Sequence, residues 1–93
     1  MSNAVFKYKS VEAYKFLGLD KLGNRLYEGV QTLDASRKFD RFARTTLNDM
    51  VVIKVLDHTV DLNIGDYVVY HEAVGAVIDV CSEKLFNLKY LLY

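Results

Sequence analysis

Apolar and polar residues alternate along the first part of the chain. From Phe6 to Phe16 the even positions include Phe6, Tyr8, Tyr14 and Phe16, and the odd positions include Lys7, Lys9 and Lys15. Period two gives one aromatic face and one basic face, as a half-buried strand requires. A helix is the competing reading. Ser10 would cap it, Val11, Tyr14 and Leu17 would share one face, and Gly18 would end it. The alternation favours the strand.

Asp20-Lys21-Leu22-Gly23-Asn24 then reads as a turn, because Gly23 and Asn24 tolerate positive φ. Apolar residues flank it on both sides, which predicts a β-hairpin whose second strand covers Arg25–Ala35. Ser36–Asp49 lacks strand periodicity. Phe39 and Phe42, three apart, suit a helical turn, so this segment is expected to be a long loop with one short helical turn. Met50–Leu56 is almost wholly apolar and predicts a strand ended by Asp57-His58. Leu62-Asn63-Ile64-Gly65-Asp66 reads as a turn with Gly65 and Asp66 at its corner. Further strands are predicted over Tyr67–Tyr70, Val74–Val80 and Leu85–Leu92, the first two joined at His71-Glu72-Ala73. Short strands at close spacing predict an all-β domain. The expected form is a small antiparallel β-barrel or sandwich, SH3-like, with a long irregular middle loop.

Composition narrows this picture. At 93 residues the chain has room for one domain, residues 1–93. Ser2-Asn3-Ala4 matches the scar of tag removal and carries no weight. The apolar fraction of 52% exceeds the usual ~45–50%, and the surplus suits an assembling subunit. Twelve basic residues balance twelve acidic ones, so there is no global basic field of the kind a dedicated nucleic-acid binder carries. Apolar runs are too short to span a membrane, and no signal-peptide pattern is present. Cys81 is the single cysteine and has no internal disulfide partner, which fits a reducing compartment.

Candidate chemistry is sparse. Asp57, His58, Asp61, Asp66, His71 and Glu72 crowd one stretch, but their spacing matches no metal motif, and a solvated turn region is the simpler reading. No metal or other cofactor is expected. Cys81 with His58 or His71 would form a nucleophile and base only as spatial neighbours; an inert, partly buried thiol is the simpler reading, and no catalytic residue is assigned. The local basic group is Arg37, Lys38, Arg41 and Arg44, read either as a solvated loop paired to Asp40 and Asp49 or as a phosphate-facing patch. Phe39 and Phe42 read as anchors of that loop. Tyr90-Leu91-Leu92-Tyr93 reads as a strand docked in its own sheet or meeting a neighbouring subunit.

Two motifs, taken in order, carry a resemblance. The first is Gly18-Leu19-Asp20-Lys21-Leu22-Gly23-Asn24-Arg25-Leu26-Tyr27, and the second is Ile64-Gly65-Asp66-Tyr67-Val68-Val69-Tyr70. Their order and spacing resemble the head-closure, or stopper, proteins of tailed bacteriophages, a head-tail connector family related to small minor capsid proteins. The chain departs from that pattern in being slightly short and in carrying His71-Glu72-Ala73 where a glycine usually joins the last hairpin. The resemblance implies a non-enzymatic structural virion protein of the neck, assembled in the host cytoplasm. Its implied partners are further copies of itself in a ring, the portal and adaptor proteins, and a tail or tail-completion protein. Packaged DNA would be contacted without sequence specificity, and no membrane is involved. It also implies that a loop from the middle of the chain closes the DNA channel, which would place Arg37, Lys38, Arg41 and Arg44 of Ser36–Asp49 toward the axis.

Two other classes compete. A small β-barrel nucleic-acid-binding module would use Tyr8, Tyr14 and Lys15 as a stacking and phosphate surface. A phage-encoded inhibitor of a host protein would also be short and free of motifs.

Overall fold

The computed structural model describes residues 11–29 and 38–90. Within them seven strands are followed by a helix: β1 (Val11–Leu19), β2 (Arg25–Glu28), β3 (Ala43–Thr45), β4 (Val51–Val55), β5 (His58–Leu62), β6 (Tyr67–His71), β7 (Ala76–Cys81) and α1 (Glu83–Tyr90). The strands form two antiparallel sheets, of order β2-β1-β6-β7 and β3-β4-β5. The all-β class is as expected, with two sheets rather than one closed barrel among the described residues.

β1 is a strand and not the competing helix, because it pairs with β2 on one edge and β6 on the other. Residues 6–10 of the expected strand lie outside the described residues. Phe16 is buried, in keeping with the even-position face. The alternation then breaks. The β1–β2 register shifts between Phe16 and Gly18, leaving Leu17 as a bulge that is 46% exposed. A bulge inserts one unpaired residue and re-aims those after it. Leu19 thereby turns toward the interior, while Gly18 is covered by Ile64.

The core lies between the sheets. Phe16, Val68, Tyr70 and Val77 of the larger sheet meet Val51, Ile53, Val55 and Leu62 of the smaller one, and Phe39 packs among them fully buried. The other face of the larger sheet is covered by α1. There Val69 and Cys81 pack with Phe86, whose ring stacks on Tyr67 at 4.2 Å. Burial on both faces explains why Val68-Val69-Tyr70 runs apolar without alternation.

Five expectations are corrected. The strand expected over Arg25–Ala35 ends at Glu28, where Gly29 takes φ +95°; residues 30–37 lie outside the described residues. Within the Ser36–Asp49 segment, the described residues 38–49 are more ordered than a long loop. Residues 38–40 are the expected helical turn, but Ala43–Thr45 forms β3 against β4. Three residues are too few to show a period, and the Lys54 amide, which donates to the Phe42 carbonyl at 2.9 Å, extends the pairing. Third, His58–Leu62 forms β5, missed because Leu56-Asp57 closes the β4–β5 hairpin in two residues without the Asn-Gly or Gly signal of such turns.

Fourth, the strand expected over Leu85–Leu92 is α1, and residues 91–93 lie outside the described residues. Its helix signals are local. The Leu85 amide donates to Ser82 Oγ at 3.3 Å and the Phe86 amide to the Ser82 carbonyl at 2.8 Å. Glu83 sits in the first turn and Lys89 in the last, matching the helix dipole. The apparent alternation of Phe86, Leu88 and Tyr90 does not track burial, since Leu88 is exposed while Phe86 is buried. The β6–β7 connection also shifts. It runs through Glu72 to Gly75, and Gly75 takes φ +75°, so the last hairpin has its glycine two residues beyond Ala73.

Candidate functional site

The two segments that carry the resemblance meet in space. At the corner, Gly65 has φ +96°. Its amide donates to the Phe16 carbonyl at 2.8 Å, and the Phe16 amide donates to the Asp66 carbonyl at 2.8 Å. Asp66 Oδ2 accepts from the Asn63 amide at 3.0 Å, closing the turn on itself. These bonds set Ile64 against β1. A Cβ at Gly18, which has φ +108°, would lie 3.1 Å from the Ile64 Cδ1. The bulge glycine therefore makes room for the corner isoleucine.

The turn after β1 is organised by Asp20. Its Oδ1 accepts from the Leu22 and Asn24 amides at 2.9 and 2.8 Å, and its Oδ2 from the Asn24 side chain at 3.1 Å. These bonds, Asn24's amide foremost, hold the exposed Asp20 carboxyl below its ordinary range. Gly23 supplies positive φ, +84°. The four predicted turn residues Gly23, Asn24, Gly65 and Asp66 thus belong to two turns at the same end of β1.

Between that end of β1 and the β3–β4 turn lies an open groove of about 290 Å³. Phe16, Leu19, Met50 and Ile64 give it apolar walls, and Asp49 and Asp61 border it. Met50 and Ile64 are 52% and 73% exposed. Neither aspartate has an ion-pair partner among the described residues.

The predicted basic group divides. Arg37 lies outside the described residues. Lys38 is held between Glu12 at 3.7 Å and Glu72 at 3.6 Å. Arg41 is exposed and lies over the Phe42 ring at 4.9 Å. Arg44 is exposed on β3. Among the described residues, neither Asp40 nor Asp49 pairs with Lys38, Arg41 or Arg44. Asp40 instead accepts from Arg25 Nε at 2.6 Å, Arg25 Nη2 at 3.1 Å and the Tyr27 hydroxyl at 2.7 Å. Burial first, then Asp40, pushes the Tyr27 hydroxyl well above the ordinary tyrosine range, while Asp40 raises Arg25. Sequence reasoning missed Lys54. Arg44 pairs with Val52, so Lys54, two residues on, shares the outward face of the smaller sheet with Arg44. The place of Lys54 as the lone charge within the apolar run Met50–Leu56 was the available signal.

Phe39 and Phe42 are anchors, as expected. Phe39 stacks on Tyr14 at 4.6 Å and meets Tyr27 edge-on at 4.6 Å, and Phe42 packs against the core. One ring face of Tyr14 is taken by that stack, and its hydroxyl donates to Glu12 at 2.6 Å; Tyr8 lies outside the described residues.

Cys81 is buried, and burial raises its thiol to about 11, with Asp79 adding to the effect. Cys81 lies opposite Tyr67 and His71 opposite Ala76, at the two ends of the β6–β7 hairpin, about 13 Å apart by strand rise. His58 is exposed beside Asp57 at 3.3 Å. The His71 Nδ1 is buried with no hydrogen-bond partner among the described residues. No three His, Cys, Asp or Glu side chains among the described residues converge as metal ligands, and none of their helices is long and apolar enough to cross a membrane.

No family model, no curated protein and no solved structure matches this chain.

Proposed function

We propose that the chain is a structural subunit of a tailed-bacteriophage neck, forming a ring that joins head to tail and helps to retain packaged DNA. The observation that supports this reading is the convergence of its two motif segments. They lie far apart in sequence, yet Ile64 rests on Gly18 and the Gly65-Asp66 backbone bonds to Phe16, just before the first motif. A motif pair that builds one structural unit is a stronger basis for likeness than two turns occurring separately. The exposed apolar residues around it, Leu17, Leu22 and Ile64, suit a subunit that buries this surface against another chain.

The DNA-facing surface is assigned to Arg41, Arg44 and Lys54 rather than to a free loop, because Ala43–Thr45 is a strand and Lys38 is paired to carboxylates. Phosphate contact needs positive charge and reach, not base-reading geometry. Phage heads assembled with Arg41→Ser, Arg44→Ser and Lys54→Ser are expected to fill normally and leak DNA before tails attach. Normal retention would remove the DNA-facing role. Heads that lack the chain altogether and still retain DNA and join tails would remove the neck reading itself. The same strip would serve a nucleic-acid-binding module, and a purified monomer that retards DNA in low salt would favour that reading.

A further inference from the structure

Helix α1 and the groove are two surfaces left uncovered by the other described residues, on opposite sides of one sheet. α1 directs Phe86 into the domain and leaves Leu85 and Leu88 47% and 53% exposed. These two are three apart, and Lys84 and Leu88 are four apart, so the three side chains share the outward part of the helix. Lys84 has no ion-pair partner among the described residues. The groove has the complementary character, with apolar walls at Phe16, Leu19, Met50 and Ile64 and carboxylates at Asp49 and Asp61.

We propose that the groove of one copy receives helix α1 of the next, with Leu85 and Leu88 against Met50 and Ile64 and Lys84 facing Asp49 and Asp61. This rests on the reading of the chain as a ring subunit and names the contact between neighbours. The occupant follows from charge and topology. The groove is acidic at its border, and the helix offers a cation with no ion-pair partner among the described residues, beside two exposed leucines. A chain cannot fill its own groove. α1 lies on the outer face of the larger sheet with Val69 and Cys81, whereas the groove opens beside Phe16 on the inner face. Only Ser82 separates β7 from α1. Different surfaces therefore meet, and the contact is heterologous. Such contacts repeat from copy to copy and close into a ring when the rotation allows.

Sedimentation velocity on the full chain tests this with two variants, Leu85→Asp with Leu88→Asp on the helix and Met50→Asp with Ile64→Asp in the groove. The wild type is expected to associate beyond a dimer as concentration rises, and each variant alone to stay monomeric. An equimolar mixture should stop at a dimer, because one sound helix and one sound groove remain and cannot propagate. Should either variant refold poorly by circular dichroism, Lys84→Glu and Asp61→Lys replace them. Each should weaken association several-fold, and mixing them should restore it. A wild type that associates while the mixture stays monomeric, or variants that assemble unaided, would overturn the helix–groove contact and leave the ring reading intact. A wild type monomeric up to millimolar concentration overturns the contact too, while the neck reading is decided by DNA retention. Saturable uptake of an apolar small molecule by a monomeric wild type would reassign the groove.

Discussion

Leu56 has φ +56°, at the first position of the two-residue β4–β5 turn. An L residue in this region pays roughly 1–2 kcal/mol of backbone strain, less for asparagine. The side chain is half exposed, so little packing offsets that cost, although the Leu56 amide ties the hairpin to the Val77 carbonyl at 3.0 Å. Leu56→Asn is expected to stabilise the domain by up to about 1 kcal/mol in urea unfolding; a lower midpoint would show that the leucine side chain packs more than its exposure suggests. Gly65 is the opposite case. A Cβ there meets nothing within 4 Å, so Gly65→Ala isolates the backbone term. It should lower stability by about 1 kcal/mol, and an unchanged melting temperature would contradict the strain argument.

β2 and the helical turn at residues 38–40 are joined by Asp40, which takes two bonds from Arg25 and one from Tyr27. Tyr27 and Tyr14 both titrate above the ordinary 10.0, Tyr14 at about 12, burial being the larger cause in each. The folded chain therefore keeps these protons after the unfolded chain begins to lose them. Their contribution to stability is full below pH 10 and declines as the pH rises beyond it. The urea midpoint should fall from pH 10 to 12, and Tyr27→Phe should flatten that fall; an equal slope in the variant would place the alkaline loss elsewhere. α1 depends on one cap and one anchor. Ser82→Ala is expected to cost about 1 kcal/mol. Phe86→Ala should cost about 3 kcal/mol and change the near-ultraviolet circular dichroism of the Tyr67–Phe86 stack. A Phe86→Ala variant with wild-type stability would mean that the helix does not hold that face.

At the level of the whole molecule, charge is balanced while its distribution is uneven. Arg44 and Lys54 project from the smaller sheet, Arg41 is exposed in the turn before β3, and Lys38 is paired to Glu12 and Glu72. Exposed charges contribute little to folding. Arg41→Ser, Arg44→Ser and Lys54→Ser together should leave the melting temperature within a few degrees of wild type, so that any DNA leakage reflects lost contact and not lost fold. A large fall in melting temperature would make the retention experiment uninterpretable in those variants and would show that the strip supports the sheet.

Local chemistry was enough to place much of this architecture. The alternation through Tyr14 and Phe16 marks a strand because one face must meet the core. The Asp20–Asn24 and Asn63–Asp66 turns follow from side chains that bond their own backbone and from glycines at positive φ. Three elements depended on long-range contact. β3 exists because β4 offers it a partner. β5 exists although Leu56-Asp57 carries no turn signal, since pairing with β4 outweighs the strain at Leu56. α1 replaces the expected strand because Phe86 finds Tyr67 and Val69 on a sheet face that needs cover, and Ser82 caps the turn. The groove was invisible in the sequence. Its lining residues come from β1, the β3–β4 turn and the Ile64 corner, segments that share no period and meet only when the two sheets pack.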